Sequence, residues 1–360
     1  MRPSMLRRVS VLSMAFAAAA AARAETSRTV RVELSGPDAS RFAVENLVGT
    51  TRITPGSGDR VEIVATVYAE SPDLAEAVRL ERVAGGPVPA TIRVRYPYEK
   101  VSTFQYRAPG DHGDFFGWPS SDSYDYDGRR VRVSRAHGRE LHADLEVRVP
   151  AARIEARFLQ LVGLLEAEDL RGDLGFRVRS ADLRLRHLDG RLELAGSSGD
   201  VRARDIKGTW SSDFSSGDCD LDGFEGDLLS LHTTSGDAAL RSVRARRVEF
   251  ESTSGDLRLT EADLQELSAE ATSGDVAFEA AGSGLKDARI RTSSGDVSLR
   301  LPAESSFDVE ADQSSGDMDV SFPDGSVVNH RDRIVGYRHG SGGAQIRVRT
   351  SSGELTVSPS

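Results

Sequence analysis

The sequence has almost no cysteine: Cys219 is the only one among 360 residues. A single cysteine cannot form an internal disulfide, which excludes a disulfide scaffold and thiol-based zinc sites. Basic residues are in the minority, with 46 Lys and Arg against 56 Asp and Glu, so nucleic acid is not expected as a partner. The hydrophobic fraction of 38% is sufficient for a buried core. The composition is that of a folded, soluble chain.

Clusters of catalytic or metal-binding side chains are also missing. The seven histidines show no ligand spacing; His137 and His142 are five residues apart, which would place them on opposite faces of a strand. Cys219 falls in a column of apolar residues and is expected in the core rather than as a nucleophile. We therefore expect no catalytic residue, no metal and no cofactor.

The first 24 residues have the pattern of a secretory signal peptide. Three arginines among the first eight residues precede an apolar run from Val11 to Ala22, and Ala22-Arg23-Ala24 forms a small-x-small cleavage site before Glu25. The apolar run is too short for a permanent membrane helix. An uncleaved anchor and a twin-arginine signal are the alternatives. The pattern predicts export across the inner membrane, to the periplasm, the cell surface or the medium, with no stable membrane span after cleavage.

A Ser/Thr-Ser-Gly-Asp motif recurs through the second half of the chain. Its glycines and acidic residues are Gly199 and Asp200, Gly217 and Asp218, Gly236 and Asp237, Gly255 and Asp256, Gly274 and Asp275, Gly295 and Asp296, Gly316 and Asp317, and finally Gly353 with Glu354. The spacing is 18 to 21 residues, except for 37 residues before the last glycine. Self-similarity at this period is typical of a stacked-repeat architecture.

Hydrophobicity alternates on both sides of each of these glycines. The second and fourth residues after Gly255, Leu257 and Leu259, are apolar, as are Val248 and Phe250 before it. A period of two predicts strands with one buried face. Buried residues lie an odd number of positions before the glycine but an even number of positions after it. A straight strand could not keep both sets on the same face, so the chain must bend there, and glycine supplies the positive φ for the turn. A less regular glycine-containing segment lies halfway between the turns, as at Ile206-Lys207-Gly208, and predicts a second corner in each rung.

The predicted fold is therefore all-β. Residues 151–358 are expected to form a parallel β-solenoid of about 19–21-residue rungs with Ser-Gly-Asp turns, in which each strand pairs with its copy in the next rung at a spacing of ~4.8 Å. Residues 25–150 read as a β-rich N-terminal capping region after the signal peptide at 1–24. The segment Phe322–Gly343 is expected to be a surface loop or an end flap. The handedness of the solenoid is left open.

These features resemble those of the bacterial putative-adhesin family of secreted β-strand-repeat envelope proteins, a domain of unknown function. The resemblance rests on the signal peptide, the β-rich start, the strand ending in Val147-Arg148-Val149-Pro150 and the tandem Ser-Gly-Asp units, and it covers about residues 40 to 357. It implies a β-solenoid at the cell envelope with a role in adhesion or envelope stress. It implies neither a defined ligand nor catalytic residues.

The segment 101–130 departs from the rest of the chain in its content of aromatic and acidic residues. Aromatic rings beside carboxylates in a loop suit a sugar- or peptide-binding surface. The candidate ligand-binding residues are Phe115, Phe116, Trp118, Tyr124, Tyr126, Asp125 and Asp127. Two alternatives stay open: aromatic rings that fold back onto the sheet, and a calcium loop at Asp125-Tyr126-Asp127-Gly128. Ser123 and Ser134, at the first and twelfth loop positions, weaken the calcium interpretation.

The column of aspartates after the turn glycines is interpreted as structural. Stacked carboxylates repel one another by about 1 kcal/mol in water, and we expect them to be satisfied by turn amides and solvent, with divalent cations as the alternative. The function expected from the sequence is that of a secreted, non-catalytic envelope or surface protein, an adhesin-like module that binds an envelope or surface component such as a glycan or a protein. The alternatives are a structural or envelope-stress-associated scaffold and, with less support, a polysaccharide-active β-helix enzyme.

Overall fold

The computed structural model describes residues 26–84, 86–107, 121–330 and 333–360, so the predicted signal peptide lies outside the described residues. Strands account for 72% of the described residues and helix for 3%, which confirms the all-β prediction. The chain divides into two compact units, the first ending at Arg184 and the second running from Leu185 to Ser360. The domain boundary at residue 150 and the capping role of the N-terminal region stay predictions.

The first unit consists of short and long strands with two brief helices. The strands are β1 (Thr26–Leu34), β2 (Arg41–Pro55), β3 (Val61–Ala69), β4 (Arg79–Arg82), β5 (Thr91–Arg95), β6 (Thr103–Gln105), β7 (Ser121–Tyr126), β8 (Arg129–Ser134), β9 (Arg139–Val149) and β10 (Ile154–Glu168), and the helices are α1 (Pro37–Ser40) and α2 (Pro72–Ala77). Strand β11 (Arg171–Arg186) continues past the end of this unit. Among the described residues, no helix is long and apolar enough to cross a membrane.

Strand pairing in the first unit is mixed. Strand β3 pairs antiparallel with β1 and β9, whereas β2 pairs in parallel with β10, β5 and β9. Alternate residues of β3 are buried from Val61 to Ala69, as expected for a strand with one face in the core. Strand β2 is buried on both faces from Phe42 to Gly49, which places it at the centre of this core.

The second unit is a parallel β-solenoid. Its strands are β12 (Asp189–Gly196), β13 (Val201–Ser216), β14 (Cys219–Ser235), β15 (Ala238–Ser254), β16 (Leu257–Ser273), β17 (Val276–Ala280), β18 (Asp287–Ser294), β19 (Val297–Leu301), β20 (Phe307–Ser315), β21 (Met318–Val320), β22 (Ser326–His330), β23 (Arg333–His339), β24 (Ala344–Ser352) and β25 (Leu355–Pro359). Copies of each position pair in register, as Leu240 does with Leu259. The predicted apolar columns form the core: Leu240, Val248, Phe250 and Leu259 are each no more than 1% exposed. The solenoid prediction is confirmed.

In four successive rungs, those of Gly199, Gly217, Gly236 and Gly255, the second corner has a feature that the sequence pattern did not indicate. It contains a residue with a left-handed backbone at the sixth position after the turn glycine; one is Gly223, and the other three are Asp205, Ser242 and Glu261, with φ between 53° and 55°. These three are not glycines, so each holds a conformation that costs a non-glycine residue roughly 1 kcal/mol or more. The corner at Asp205 thus precedes the segment Ile206-Lys207-Gly208, where the sequence predicted it.

The rungs do not stack in the order of the sequence. Strand β24 pairs in parallel with β18 on one side and with β20 on the other, and β25 lies likewise between β19 and β21. The rung of Gly353 is therefore inserted between those of Gly295 and Gly316, rather than stacked beyond the latter. The predicted loop or flap at 322–343 contains the antiparallel hairpin β22–β23, and β23 pairs antiparallel with β20. The flap thus forms the last strands of this sheet.

Candidate functional site

Glycine is required at the Ser-Gly-Asp turns because successive rungs approach closely there. The φ angle of Gly255 is 155°, and a Cβ atom at this position would lie 2.2 Å from the carbonyl oxygen of Gly236. The backbone N–H of Gly236 donates to the carbonyl of Ser254 in the next rung at 3.2 Å. A side chain would separate the two turns and break this ladder, so the glycine column holds the rungs in register.

The turn carboxylates form a hydrogen-bond ladder along the solenoid. The Oδ1 atom of Asp237 accepts the backbone N–H of Asp256 at 2.9 Å, and the Oδ1 atom of Asp256 accepts that of Asp275 at 2.8 Å. The same bond links Asp200 to Asp218, Asp218 to Asp237, Asp275 to Asp296 and Asp296 to Glu354. Such charge-assisted bonds to backbone amides are stronger than neutral ones, and they offset the repulsion between stacked carboxylates.

Two columns of exposed hydroxyl groups accompany this carboxylate column. The exposed residues directly before the glycines are Ser216, Ser235, Ser254, Ser273, Ser294, Ser352 and Ser315, and those one position earlier are Ser215, Thr234, Thr253, Thr272, Ser293, Ser351 and Ser314. Together with Asp237, Asp256, Asp275 and Asp296, which are also exposed, they form a surface that we call the turn edge. Donors and acceptors recur on it at the inter-strand spacing of ~4.8 Å.

The described aromatic rings of the segment 101–130 lie in the interior of the first unit. Tyr124 and Tyr126 are only 4% and 3% exposed. The Tyr126 hydroxyl lies 2.9 Å from the carbonyl oxygens of both Glu45 and Val94, and burial raises the pKa of Tyr126 well above its ordinary value. These two rings therefore contribute to core packing. Phe115, Phe116 and Trp118 lie outside the described residues.

One acidic residue of this segment, Asp127, also has structural partners. Asp127 forms an ion pair with Arg93, with 2.7 Å between Oδ1 and Nη1, and Arg93 bonds Glu45 through Nε at 2.5 Å. Asp127 and Gly128 have positive φ angles of 54° and 71° and connect β7 to β8 as a two-residue hairpin turn. Asp125 is exposed. The Asp-Gly pair between alternating apolar residues was the sequence signal for this hairpin. A ligand-binding role for the segment stays a prediction.

Burial disfavours the thiolate form of Cys219 in the folded chain. Cys219 pairs in register with Val201 and Ala238 in a column of inward positions. The residue as a whole is only partly buried, but burial of its thiol raises the pKa to about 12. A reactive cysteine needs the thiolate near neutral pH, so this side chain serves packing.

The second unit thus defines a class of protein: an all-β solenoid whose rungs repeat one polar turn along an exposed edge. Residues 142–358 match the family described as Toastrack DUF4097, and the chain belongs to this family. The match confirms the family resemblance drawn from the repeats. No curated protein matches the chain.

Three solved structures are similar to most of the chain. A putative lipid binding protein from Parabacteroides distasonis is similar over 92% of this chain and 96% of its own, with 12% identity and a TM-score of 0.42. A putative adhesin from Parabacteroides merdae is similar over 92% and 96%, with 11% identity and a TM-score of 0.29. A putative cell adhesion protein from Clostridium sporogenes is similar over 93% and 100%, with 7% identity and a TM-score of 0.22.

Proposed function

We propose that this chain is a non-catalytic binding module that acts outside the cytoplasm and holds a polymer or surface component of the cell envelope. The observation that supports it is the turn edge, on which exposed hydroxyls and carboxylates recur in the seven rungs from that of Gly217 to that of Gly353. The carboxylate ladder supports it too, because it fixes the turns in place without using the neighbouring hydroxyls. A rigid array of this kind suits a ligand that is itself repetitive.

The energetics favour many weak contacts over one strong site. A single hydrogen bond contributes about 0.5–1.5 kcal/mol net, which is too little for stable binding by one rung. Contacts on successive rungs become intramolecular once the first has formed, so their contributions accumulate through effective concentration. Affinity should therefore depend on the number of intact rungs and on the length of the ligand.

Export is part of the proposal. The basic start, apolar run and small-x-small site in residues 1–24 support cleavage by a signal peptidase, and the chain from Glu25 onward would act in the periplasm, at the cell surface or in the medium. Fractionation of cells that express the full chain, with mass spectrometry of its N-terminus, tests this part. A protein that keeps its first residues in the cytoplasm would contradict it.

The binding proposal is tested with the chain from Glu25 to Ser360 and a panel of envelope glycans and cell-wall fragments. The test variant replaces Thr234, Thr253 and Thr272 by alanine and so removes hydroxyls from three consecutive rungs. The control replaces Ser211, Ser230 and Ser268, which belong to one outward column elsewhere on the solenoid. We expect the test variant to bind at least tenfold more weakly than the control. Equal binding by both variants, or no binding of the panel by the unmodified chain, would overturn the proposal.

A further inference from the structure

The stacking of the second unit is interrupted at one place. Strand β16 pairs with β17 up to Ala262 and with β18 from Glu266 onward. Residues 281–286, with the sequence Ala-Gly-Ser-Gly-Leu-Lys, leave the sheet between these two pairings. The loop is tied down at both ends, because Ala281 N–H donates to the Ala262 carbonyl and Lys286 N–H donates to the Gln265 carbonyl, each at 2.8 Å.

The displaced loop forms one wall of a groove on the surface of the second unit. Two adjoining concavities of about 640 and 490 Å³ lie against it, and Arg244 and Asp263 line both. Gly284 and Lys286 line the first concavity, and Ala281 and Gly282 line the second. We call these two concavities together the Arg244 groove. Each of the two concavities, at about 640 and 490 Å³, lies within the roughly 300–1,000 Å³ usual for ligand sites.

The charged groups that neighbour Arg244 are largely engaged with one another. Arg246 bonds Asp227 at 2.7 Å and Lys286 bonds Gln265 at 2.9 Å. A third contact joins Lys207 to Glu225, with 3.1 Å between Nζ and Oε2. At the second corner, Ser242 donates to Glu261 at 2.5 Å. These groups therefore already have partners within the protein.

Arg244 and Asp263 differ from these neighbours. They pair in register on adjacent strands, and both side chains are exposed. Within the described residues, neither side chain makes a hydrogen bond or an ion pair, although both line the same two concavities. The groove therefore presents one guanidinium, which can only donate hydrogen bonds, next to one carboxylate, which can only accept them.

The donor of Arg244 and the acceptor of Asp263, side by side, restrict the kind of ligand that the groove can bind. The charged residues that line the groove balance one another, with Arg244, Arg246 and Lys286 against Glu225, Glu261 and Asp263. Neither an anion nor a cation therefore gains from the net charge of the groove. A hydroxyl group donates and accepts at the same time, so two neighbouring hydroxyls of one ligand can accept from Arg244 and donate to Asp263. We propose that the Arg244 groove binds a neutral, hydroxyl-rich oligosaccharide, an inference that rests on the proposed function.

The test is calorimetric titration of the chain from Glu25 to Ser360 with short neutral oligosaccharides (from cellulose, chitin, starch and mannan) and with acidic ones (from alginate and pectin). We expect at least one neutral series to bind, and no acidic series to bind as tightly. Arg244→Ala and Asp263→Ala should each weaken that binding at least tenfold while leaving the melting temperature unchanged. The matched control is Arg258→Ala, which removes an exposed arginine that lines neither concavity, and it should bind like the unmodified chain.

Three outcomes would overturn the inference. The first is that no neutral oligosaccharide binds, and the second is that Arg244→Ala binds as well as Arg258→Ala does. The third is tighter binding of an acidic series, strengthened further by Asp263→Asn. The variant lacking the hydroxyls of Thr234, Thr253 and Thr272 separates this inference from the proposed function. If it keeps the oligosaccharide but loses envelope material, the groove binds independently of the turn edge. If it loses the oligosaccharide, the turn edge and not the groove binds that ligand, and the inference fails.

Discussion

The backbone N–H of Glu354 donates to the Oδ1 atom of Asp296 at 2.9 Å, across 58 positions of sequence. This bond continues the carboxylate ladder from the rung of Gly295 directly to the rung of Gly353. The carbonyl of Asp317 in turn accepts the N–H of Leu355 at 3.0 Å, so the end of the chain is bonded to a rung on each side. Strands β24 and β25 are therefore interior strands of the sheet and not the end of the stack.

Removal of residues 344–360 should destabilise the second unit far more than the loss of an ordinary end rung. The deletion takes away β24 and β25, which pair on both sides, and it exposes two sheet edges in place of one. We expect the melting temperature, followed by circular dichroism, to fall sharply or the transition to lose its cooperativity. The control replaces residues 326–339 by a short Gly-Ser linker, which removes only β22 and β23. A deletion that melts at or above this control would contradict the observed stacking.

Leu259→Asp should abolish stable folding, whereas Arg258→Asp, one residue away, should be tolerated. Leu259 is 0% exposed and Arg258 is exposed. An unpaired charge buried in the continuous apolar column costs several kcal/mol, and the same charge at position 258 stays in water. Urea denaturation of the two variants measures the difference. Equal unfolding midpoints would disprove the alternation on which the solenoid depends.

The inward columns could be predicted from sequence because burial alone fixes a period of two, as at Leu257 and Leu259. The order of the rungs could not, because the turns at Gly316 and Gly353 have nearly the same local chemistry and only packing decides their neighbours. The left-handed corner was missed because its occupants Asp205, Ser242 and Glu261 share no residue type that would mark the position. In the candidate ligand-binding segment, the hydroxyl of buried Tyr126 bonds the carbonyl of Glu45, which is 81 positions away in the sequence. Local sequence could not predict such a contact.

Gly255→Ala should destabilise the protein by several kcal/mol, while Gly282→Ala should be nearly neutral. A methyl group at position 255 would lie 2.2 Å from the Gly236 carbonyl oxygen, whereas at position 282 the nearest atom is 3.8 Å away. The first clash involves the backbone of a paired rung and cannot relax without opening the ladder. Thermal unfolding of both variants compares the two sites. Tolerance of alanine at position 255 would show that the turns are not in close contact.

The stability of the second unit should fall between about pH 9 and pH 12 in a manner that depends on Cys219. Burial raises the thiol pKa from 9.0 to about 12, so in this range the unfolded chain loses a proton that the folded chain keeps, and unfolding becomes more favourable as the pH rises. Urea denaturation at a series of alkaline pH values measures the slope, and Cys219→Val, which cannot ionise, should show a shallower one. In addition, a thiol-specific reagent at pH 8 should label only denatured protein. Identical slopes, or rapid labelling of the folded chain, would contradict a buried thiol.

The aromatic segment should divide into a dispensable part and a part of the core. Tyr126 is 3% exposed and bonded to the backbone of Glu45, so Tyr126→Ala should cost about 3–5 kcal/mol, as truncation of a large buried ring does. Deletion of residues 111–119 removes Phe115, Phe116 and Trp118 without touching strand β7, and since closure entropy changes slowly with loop length, the melting temperature should stay nearly constant. The binding panel then decides the role of the segment. Loss of binding with unchanged stability would support recognition by these aromatic residues, intact binding would place recognition elsewhere, and a large drop in melting temperature would show that they belong to the core.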